Sequence, residues 1–133
     1  MKKLLVVLVI LLTISFAFGT INFWTAPNPQ QEEFWKGMVE EWNANNPDAQ
    51  IKWKVIPATG SSEEAILTAI ASGEGPDLCT NIFSGFAAQL IEAGVLVPWN
   101  DFDGYEELLE KRGMVEAIKG WEFGGNSYVI PIY

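Results

Sequence analysis

The sequence predicts an α/β fold in which a parallel-type sheet carries helices on both of its faces. Two observations lead to this fold class. Short runs rich in β-branched and aromatic residues alternate along the chain with longer stretches whose apolar residues have helical spacing. The 133 residues of the chain also suffice for one modest hydrophobic core. Because strands separated by helices join through right-handed crossovers, we expect the strands to lie parallel within one sheet.

The first strand and the first helix are predicted over residues 21–45. The run INFWT, residues 21–25, has the β-branched and aromatic character of a strand. Asn28 and Pro29 then suit the cap and the first position of a helix. We expect the apolar side of this helix to lie in the core, and its members are Phe34, Trp35, Met38, Val39 and Trp42.

The second strand and the second helix follow a break at Pro47. Residues 50–57 alternate apolar side chains with Lys52 and Lys54, which predicts a half-buried strand near an edge of the sheet. A helix is expected next. Its start is indicated by the capping-box spacing of a serine and a glutamate, Ser61 and Glu64, and its end by Gly73.

The stretch IASGEGPDLCTNIFSGF leads from the second helix into a third strand and a third helix. Residues 76–83 are short, apolar and preceded by a glycine, so we predict a strand that is buried on both faces. Asp77 is expected to brace the turn before this strand. Residues 84–94 have helical spacing, and Gly94 is placed to end the helix.

A crevice is predicted where the strand order reverses. If the first strand lies between the second and the third, the reversal falls between the first and the third, and ligands of such sheets bind beyond the carboxyl ends of the strands there. The crevice would be lined by residues 24–29 and 80–85, whose polar members are Thr25, Asn28, Thr80, Asn81 and Ser84. The alternative role for Asn28 and Ser84 is to cap the helices that follow them.

Residues 1–19 predict a secretory signal peptide, and residues 20–133 a single α/β lobe. Two lysines precede an apolar run that ends at the small residues Ala17 and Gly19. The run is short for a membrane span, which needs about 20 apolar residues, although an uncleaved anchor stays an alternative. We therefore expect an exported protein, located in the periplasm or outside the cell.

The composition argues against several classes of function. With 17 acidic and 8 basic residues, the chain lacks the positive charge with which proteins bind nucleic acid. It contains no histidine, so a Ser-His or Cys-His nucleophile pair cannot form within it, and the usual imidazole ligand of metal ions is absent. We predict no catalytic residue, no metal site and no cofactor.

Two further features of the sequence have structural explanations. Asp101 and Asp103 resemble an incomplete calcium loop, and the simpler role for them is turn formation and capping of the helix that follows. Cys79 is the single cysteine of the chain. It lies in an apolar run, so we expect a buried and inert thiol.

The order of these motifs resembles the N-terminal lobe of the extracellular solute-binding proteins that serve ATP-driven (ABC) importers. The resemblance is most specific in IASGEGPDL, with its Gly-x-Gly-Pro-Asp step into a strand, and in the later GGNSYVIP. Within the family, the chain is similar to the carbohydrate-binding group (family 1, maltose-binding-protein-like). Such proteins have two α/β lobes that close on a ligand, and the resemblance implies that this chain is truncated before the second lobe.

The resemblance implies a non-catalytic, monomeric receptor that captures a sugar or oligosaccharide and delivers it to the membrane permease subunits of the importer. It also implies ligand contacts at Thr25, Ala26, Asn28, Asn81 and Ser84, with Tyr133 near the hinge and the cleft mouth, and Trp24 is the aromatic residue best placed to add a stacking contact. Neutral amides and hydroxyls suit sugar hydroxyls because they both donate and accept, and Trp24 is either a stacking wall or a core residue. The alternatives are a receptor for a non-sugar solute and a fragment without independent ligand binding.

Overall fold

The computed structural model describes residues 19–57 and 60–131. Within these ranges a sheet forms from three parallel strands, β1 (Gly19–Thr25), β2 (Ala49–Val55) and β3 (Leu78–Cys79). The strand order is β2-β1-β3, with β1 in the centre. The predicted α/β class is therefore confirmed, and the strand order is the one that the predicted crevice requires. The predicted signal peptide lies outside the described residues, apart from Gly19, which begins β1.

Helices cover both faces of the sheet, as predicted. Successive side chains of a strand point to opposite faces, and neighbouring residues of β1 show the two layers. The ring of Phe23 meets Trp35 of α1 (Pro29–Asn45) edge-on, with the ring centroids 5.2 Å apart. Trp24 points the other way and packs against the main core cluster of Ile56, Ile66, Phe86 and Leu90.

Both ends of α1 are satisfied by side chains. The Asn28 side-chain oxygen accepts a hydrogen bond from the Gln30 amide at 3.1 Å, which confirms the predicted cap. At the other end, the Gln50 side chain donates to the carbonyls of Asn43 at 2.9 Å and Asn46 at 2.8 Å. These bonds satisfy backbone groups that a helix leaves without an intrahelical partner at its ends.

The prediction that the apolar side of α1 lies in the core is wrong for Phe34, Met38 and Trp42. These side chains are 57%, 49% and 42% exposed. Trp35 and Val39 are half-buried because they face the sheet. The three exposed residues lie further round the helix, where the described part of the chain leaves them accessible to solvent. We call these three residues the α1 stripe.

The opposite face of the sheet is covered by α2 (Ser62–Ala71) and α3 (Ser84–Glu92). These helices and the residue after β2 supply the main core cluster, whose members are all nearly fully buried. Ser61 caps α2, since its hydroxyl accepts from the Glu63 amide at 3.1 Å. Gly73 follows the end of α2 with φ 75°, a conformation that favours glycine and ends the helix as predicted.

The third strand is shorter and more exposed than predicted. β3 has two residues, and Leu78 is 36% exposed. Since β3 pairs with β1 on one side and with no described strand on the other, it is an edge strand rather than a buried one. Asp77 does brace the preceding turn, because its carboxylate accepts bonds from the backbone amide and the side-chain amide of Asn22 at 2.7 and 3.1 Å.

The rest of the described chain packs around a second, smaller cluster. Its elements are α4 (Tyr105–Arg112), α5 (Val115–Ile118), β4 (Glu122–Phe123) and β5 (Asn126–Ser127), with 3₁₀ turns at Trp99–Asp101 and Lys119–Trp121. Tyr105, Leu109 and Ile118 are its buried members. β4 and β5 pair as an antiparallel hairpin. No helix in the two described ranges is long and apolar enough to cross a membrane.

The alternative role of Ser84 as a helix cap does not apply, and the predicted capping of α4 by an aspartate is wrong. Ser84 is the first residue of α3, and the cap position belongs to Phe83. Gly104 occupies the cap position of α4 with φ 81°, so neither Asp101 nor Asp103 caps that helix. The two aspartates do lie in the turns that precede α4, as predicted. A capping side chain needs an extended backbone, and the left-handed conformation at position 104 favours glycine instead.

Candidate functional site

The carboxyl ends of β1 and β3 lie side by side at one edge of the sheet. Trp24 pairs with Cys79 in the parallel register, and the Thr80 amide donates to the Trp24 carbonyl at 3.0 Å. β1 is the central strand, so the strand order reverses at this point. The loops of residues 24–29 and 80–85 therefore leave the sheet at neighbouring positions, as the strand order predicts.

A threonine hydroxyl joins the two loops. The Ala26 amide donates to Oγ1 of Thr80 at 3.1 Å, which holds the loop after β1 against the loop after β3. The Thr25 carbonyl accepts from the Ile56 amide at 2.8 Å, so the same loop is also tied to the end of β2. The sequence predicts that Thr80 lines the crevice but does not predict that it joins the two loops. The signal for this linking role is a hydroxyl directly after a short strand.

Three of the predicted contact residues are accessible at this edge. Asn81 and Ser84 are exposed, and Asn28 is half-buried. Asn81 has φ 67° and is the one residue other than glycine with positive φ in the described ranges; asparagine adopts this conformation more readily than most residues. Ser84 lies in the first turn of α3, where no side chain caps the helix. The edge therefore presents amide and hydroxyl groups to solvent.

Two other predicted contact residues have structural roles. Thr25 is 1% exposed, and its hydroxyl accepts a hydrogen bond from the indole Nε1 of Trp53 at 3.0 Å. Trp24 packs against the main core cluster, and Lys54 Nζ lies 4.2 Å from the centroid of its ring. Both side chains thus make contacts with the rest of the fold that stabilise the end of β1 and the loop that follows it. Tyr133 lies outside the described residues, so its position at a cleft mouth stays a prediction.

The two loops carry no formal charge on their side chains. Residues 24–29 and 80–85 contain no acidic or basic side chain. Cys79, next to the second loop, is half-buried, and desolvation by burial raises the pKa of its thiol to about 11, so it is neutral at physiological pH. Among the described residues, no group of three or more His, Cys, Asp or Glu is placed to hold a metal ion. The chemistry that the site offers is hydrogen bonding by neutral groups.

A parallel sheet with a central first strand and polar, uncharged loops at its carboxyl edge defines one lobe of an α/β ligand-binding protein. The chain belongs to the bacterial extracellular solute-binding protein family, whose model matches residues 26–133. A comparison with curated proteins found no match.

Solved structures share this fold. An uncharacterised protein from Listeria monocytogenes EGD-e is 39% identical, with a TM-score of 0.80 over 86% of this chain and 28% of its own. A protein from work on xylan utilisation by Caldanaerobius polysaccharolyticus is 26% identical, with a TM-score of 0.69 over 85% and 28% of the two chains. RafE from Streptococcus pneumoniae is 17% identical, with a TM-score of 0.63 over 81% and 26%. The chain thus spans less than a third of the length of these structures.

Proposed function

We propose that the chain is the N-terminal lobe of the solute-binding component of an ATP-driven importer, and that its ligand is a sugar or an oligosaccharide. The observation that carries the proposal is the pair of joined, uncharged loops at the strand-order reversal of a solute-binding lobe. Neutral amides and hydroxyls pair well with sugar hydroxyls because both sides donate and accept. A cationic solute would find no carboxylate among the side chains of these two loops to balance its charge. Capture is non-catalytic in this proposal, and delivery is to the permease subunits of the importer.

The proposed contacts are the accessible polar groups of the two loops. Asn28, Asn81 and Ser84 supply side chains, and the loop around Ala26 supplies main-chain groups. Trp24 and Thr25 stabilise the loop that carries these contacts. Trp24 does so by packing against the main core cluster, and Thr25 by accepting the hydrogen bond from Trp53. Tyr133, which lies outside the described residues, stays a proposed residue near the hinge and the cleft mouth.

The related structures favour a carbohydrate ligand, and the strength of this support depends on how similar each one is to this chain. The Caldanaerobius protein comes from work on xylan utilisation and is 26% identical to this chain. RafE has been solved in complex with raffinose, and at 19% identity that structure supports the shared fold alone. The substrate class therefore rests on the chemistry of the loops first and on the Caldanaerobius relative second.

A thermal-shift panel tests the ligand class. The purified protein is heated with neutral sugars and oligosaccharides, amino acids, short peptides and inorganic anions, and we expect only a neutral sugar or oligosaccharide to raise the melting temperature. Asn81→Gly keeps the positive φ and removes the carboxamide, so it should reduce the shift. Asn45→Ala, on the exposed side of α1, is the matched control and should not. A shift with an amino acid or an anion instead would refute the carbohydrate assignment.

A fragment without independent binding is the second candidate, because the chain spans 28% of the length of the Listeria and Caldanaerobius proteins. One lobe buries a ligand on one side only, which lowers affinity. Saturable oligosaccharide binding by this chain alone, measured by calorimetry, would eliminate that candidate.

Export is also part of the proposal, with residues 1–19 as a cleaved signal peptide and residues 20–133 as a monomeric lobe. N-terminal sequencing of the protein recovered from the periplasm or the medium should begin at or next to Thr20. An intact Met1 on the exported protein would contradict the cleavage.

A further inference from the structure

The outer edge of β2 is partly covered by the end of α1. β2 is the terminal strand of the sheet, and no described strand pairs with its outer side. An open strand edge presents unpaired N–H and C=O groups and can pair with another chain. The contacts between α1 and this edge therefore bear on whether the chain associates with a second copy of itself.

The carboxamide of Asn43 bonds to both backbone groups of Ile51. The Ile51 amide donates to Oδ1 of Asn43 at 2.7 Å, and Nδ2 of Asn43 donates to the Ile51 carbonyl at 2.9 Å. The N–H and C=O of one residue in a parallel strand point to the same side, so both groups face away from β1. Asn43 thus offers one acceptor and one donor, as a residue of an adjacent strand would.

Neighbouring residues of α1 cover the preceding edge position. The Trp42 indole Nε1 donates to the Ala49 carbonyl at 2.6 Å, and the Ala49 amide donates to the Asn46 carbonyl at 3.2 Å. Ala49 and Ile51 are alternate residues, so the last turns of α1 occupy two successive outward positions of β2. Further along β2, two exposed charged residues, Lys52 and Lys54, disfavour pairing of the strand edge with another chain.

We propose that Asn43 is an edge cap: its carboxamide takes the place of a neighbouring strand at Ile51 and prevents β2 from pairing with β2 of a second copy. The cap explains why a polar residue occupies this position on the inner half of α1, where an apolar residue would leave the Ile51 groups unpaired. Leaving such groups without partners is costly wherever water is excluded from them.

The test compares Asn43→Ala with Asn45→Ala in the full chain. Asn45 lies on the same helix and its side chain bonds to the Glu41 carbonyl at 2.8 Å, so the control removes an asparagine bond without touching β2. In Asn43→Ala we expect hydrogen exchange of the Ile51 amide to rise about tenfold. The Lys52 amide, which faces β1, should keep its rate, and light scattering should show association that grows with concentration.

A second variant separates loss of the cap from general destabilisation. Asn43→Asp keeps an acceptor for the Ile51 amide, loses the donor to the Ile51 carbonyl and places a charge at the edge. Exchange at Ile51 should therefore lie between the rates of wild type and Asn43→Ala, and the variant should stay monomeric. Equal rises in exchange at Ile51 and Lys52 in Asn43→Ala would point to unfolding and overturn the proposal. Association of wild type, or equal behaviour of Asn43→Ala and Asn45→Ala in light scattering, would overturn it as well.

Discussion

Gly75 lies where the turn before β3 passes closest to α2. A Cβ at this position would sit 2.9 Å from Cγ1 of Ile70 and 3.4 Å from its Cα. Ile70 packs against the main core cluster, so its side chain has little room to move. Gly37, in the middle of α1, is different, because a Cβ there would meet nothing within 4 Å. One glycine allows a close approach, and the other only adds flexibility.

The two glycines should respond to alanine with opposite signs. Gly75→Ala overpacks the contact with Ile70 and should lower the free energy of unfolding by about 1–3 kcal/mol. Gly37→Ala improves helix propensity at an exposed site and should raise it by about 0.5–1 kcal/mol. Urea denaturation of both variants measures the difference. Destabilisation by both would show that Gly37 also has a neighbour, contrary to the structure.

The thiol of Cys79 makes stability depend on pH in the alkaline range. Burial raises its pKa from 9.0 to about 11 in the folded chain. Between these values the unfolded chain loses the proton while the folded chain keeps it, so unfolding is favoured. The contribution of the thiol to stability is therefore fully present below pH 9 and is lost as the pH rises towards 11.

Cys79→Ala should remove this pH dependence. Between pH 8 and 10.5, wild type should lose about 1–3 kcal/mol more of its free energy of unfolding than the variant does. Every other titratable group is present in both proteins, so its effect cancels in the difference. Urea denaturation curves collected across this range supply the measurement, and parallel pH profiles would contradict a desolvated thiol.

At the scale of elements, local sequence predicts where a helix begins and ends better than what it packs against. Asn28 and Pro29 mark the start of α1 correctly because capping involves residues close in sequence. Burial of the α1 stripe depends on distant parts of a chain, and periodicity does not contain that information. The same reason applies to β3: its length follows from pairing with Phe23 and Trp24 alone, which no pattern within residues 76–83 reveals.

Met38, in the α1 stripe, should tolerate polar substitution. Met38→Gln keeps the length and helix propensity of the side chain, so we expect a change of less than about 0.5 kcal/mol in the free energy of unfolding. Ile66→Ala, in the main core cluster, should cost about 2–5 kcal/mol. Met38→Gln should also reduce binding of the dye ANS, which reports exposed apolar surface. A cost for Met38→Gln comparable to that of Ile66→Ala would mean that the stripe is covered in solution.

At the scale of the whole molecule, strand order predicts which two loops meet at the candidate site. Strand order does not predict the direction in which each side chain of these loops points. The alternation of strands and helices predicts that residues 24–29 and 80–85 meet, and Thr80 joins them. Trp24 and Thr25 still lie within β1, where Thr25 is buried against Trp53 and the half-buried Trp24 packs against the main core cluster. A shift of one residue at the end of a strand reverses a side chain, and the sequence does not determine that end.

The two hydrophobic clusters share no residue and should respond separately to mutation. The main cluster joins the sheet to α2 and α3, while the second joins α4, α5 and the segment around them. The second cluster also contains Tyr105, whose hydroxyl is buried without a hydrogen-bond partner among the described residues. A smaller core with an unpaired polar atom contributes less stability. We therefore expect α4 and α5 to unfold locally at lower free energy than the sheet.

Leu109→Ala and Leu90→Ala test this separation, because each removes a buried leucine from one cluster. Both substitutions create a cavity that costs about 2–5 kcal/mol. Leu109→Ala should speed hydrogen exchange in α4 and α5 by more than about tenfold and leave β1 and β2 protected. Leu90→Ala should speed exchange in the sheet, where the main cluster stabilises the fold. If Leu109→Ala accelerated exchange in β1 as much as in α4, the two clusters would form one cooperative unit.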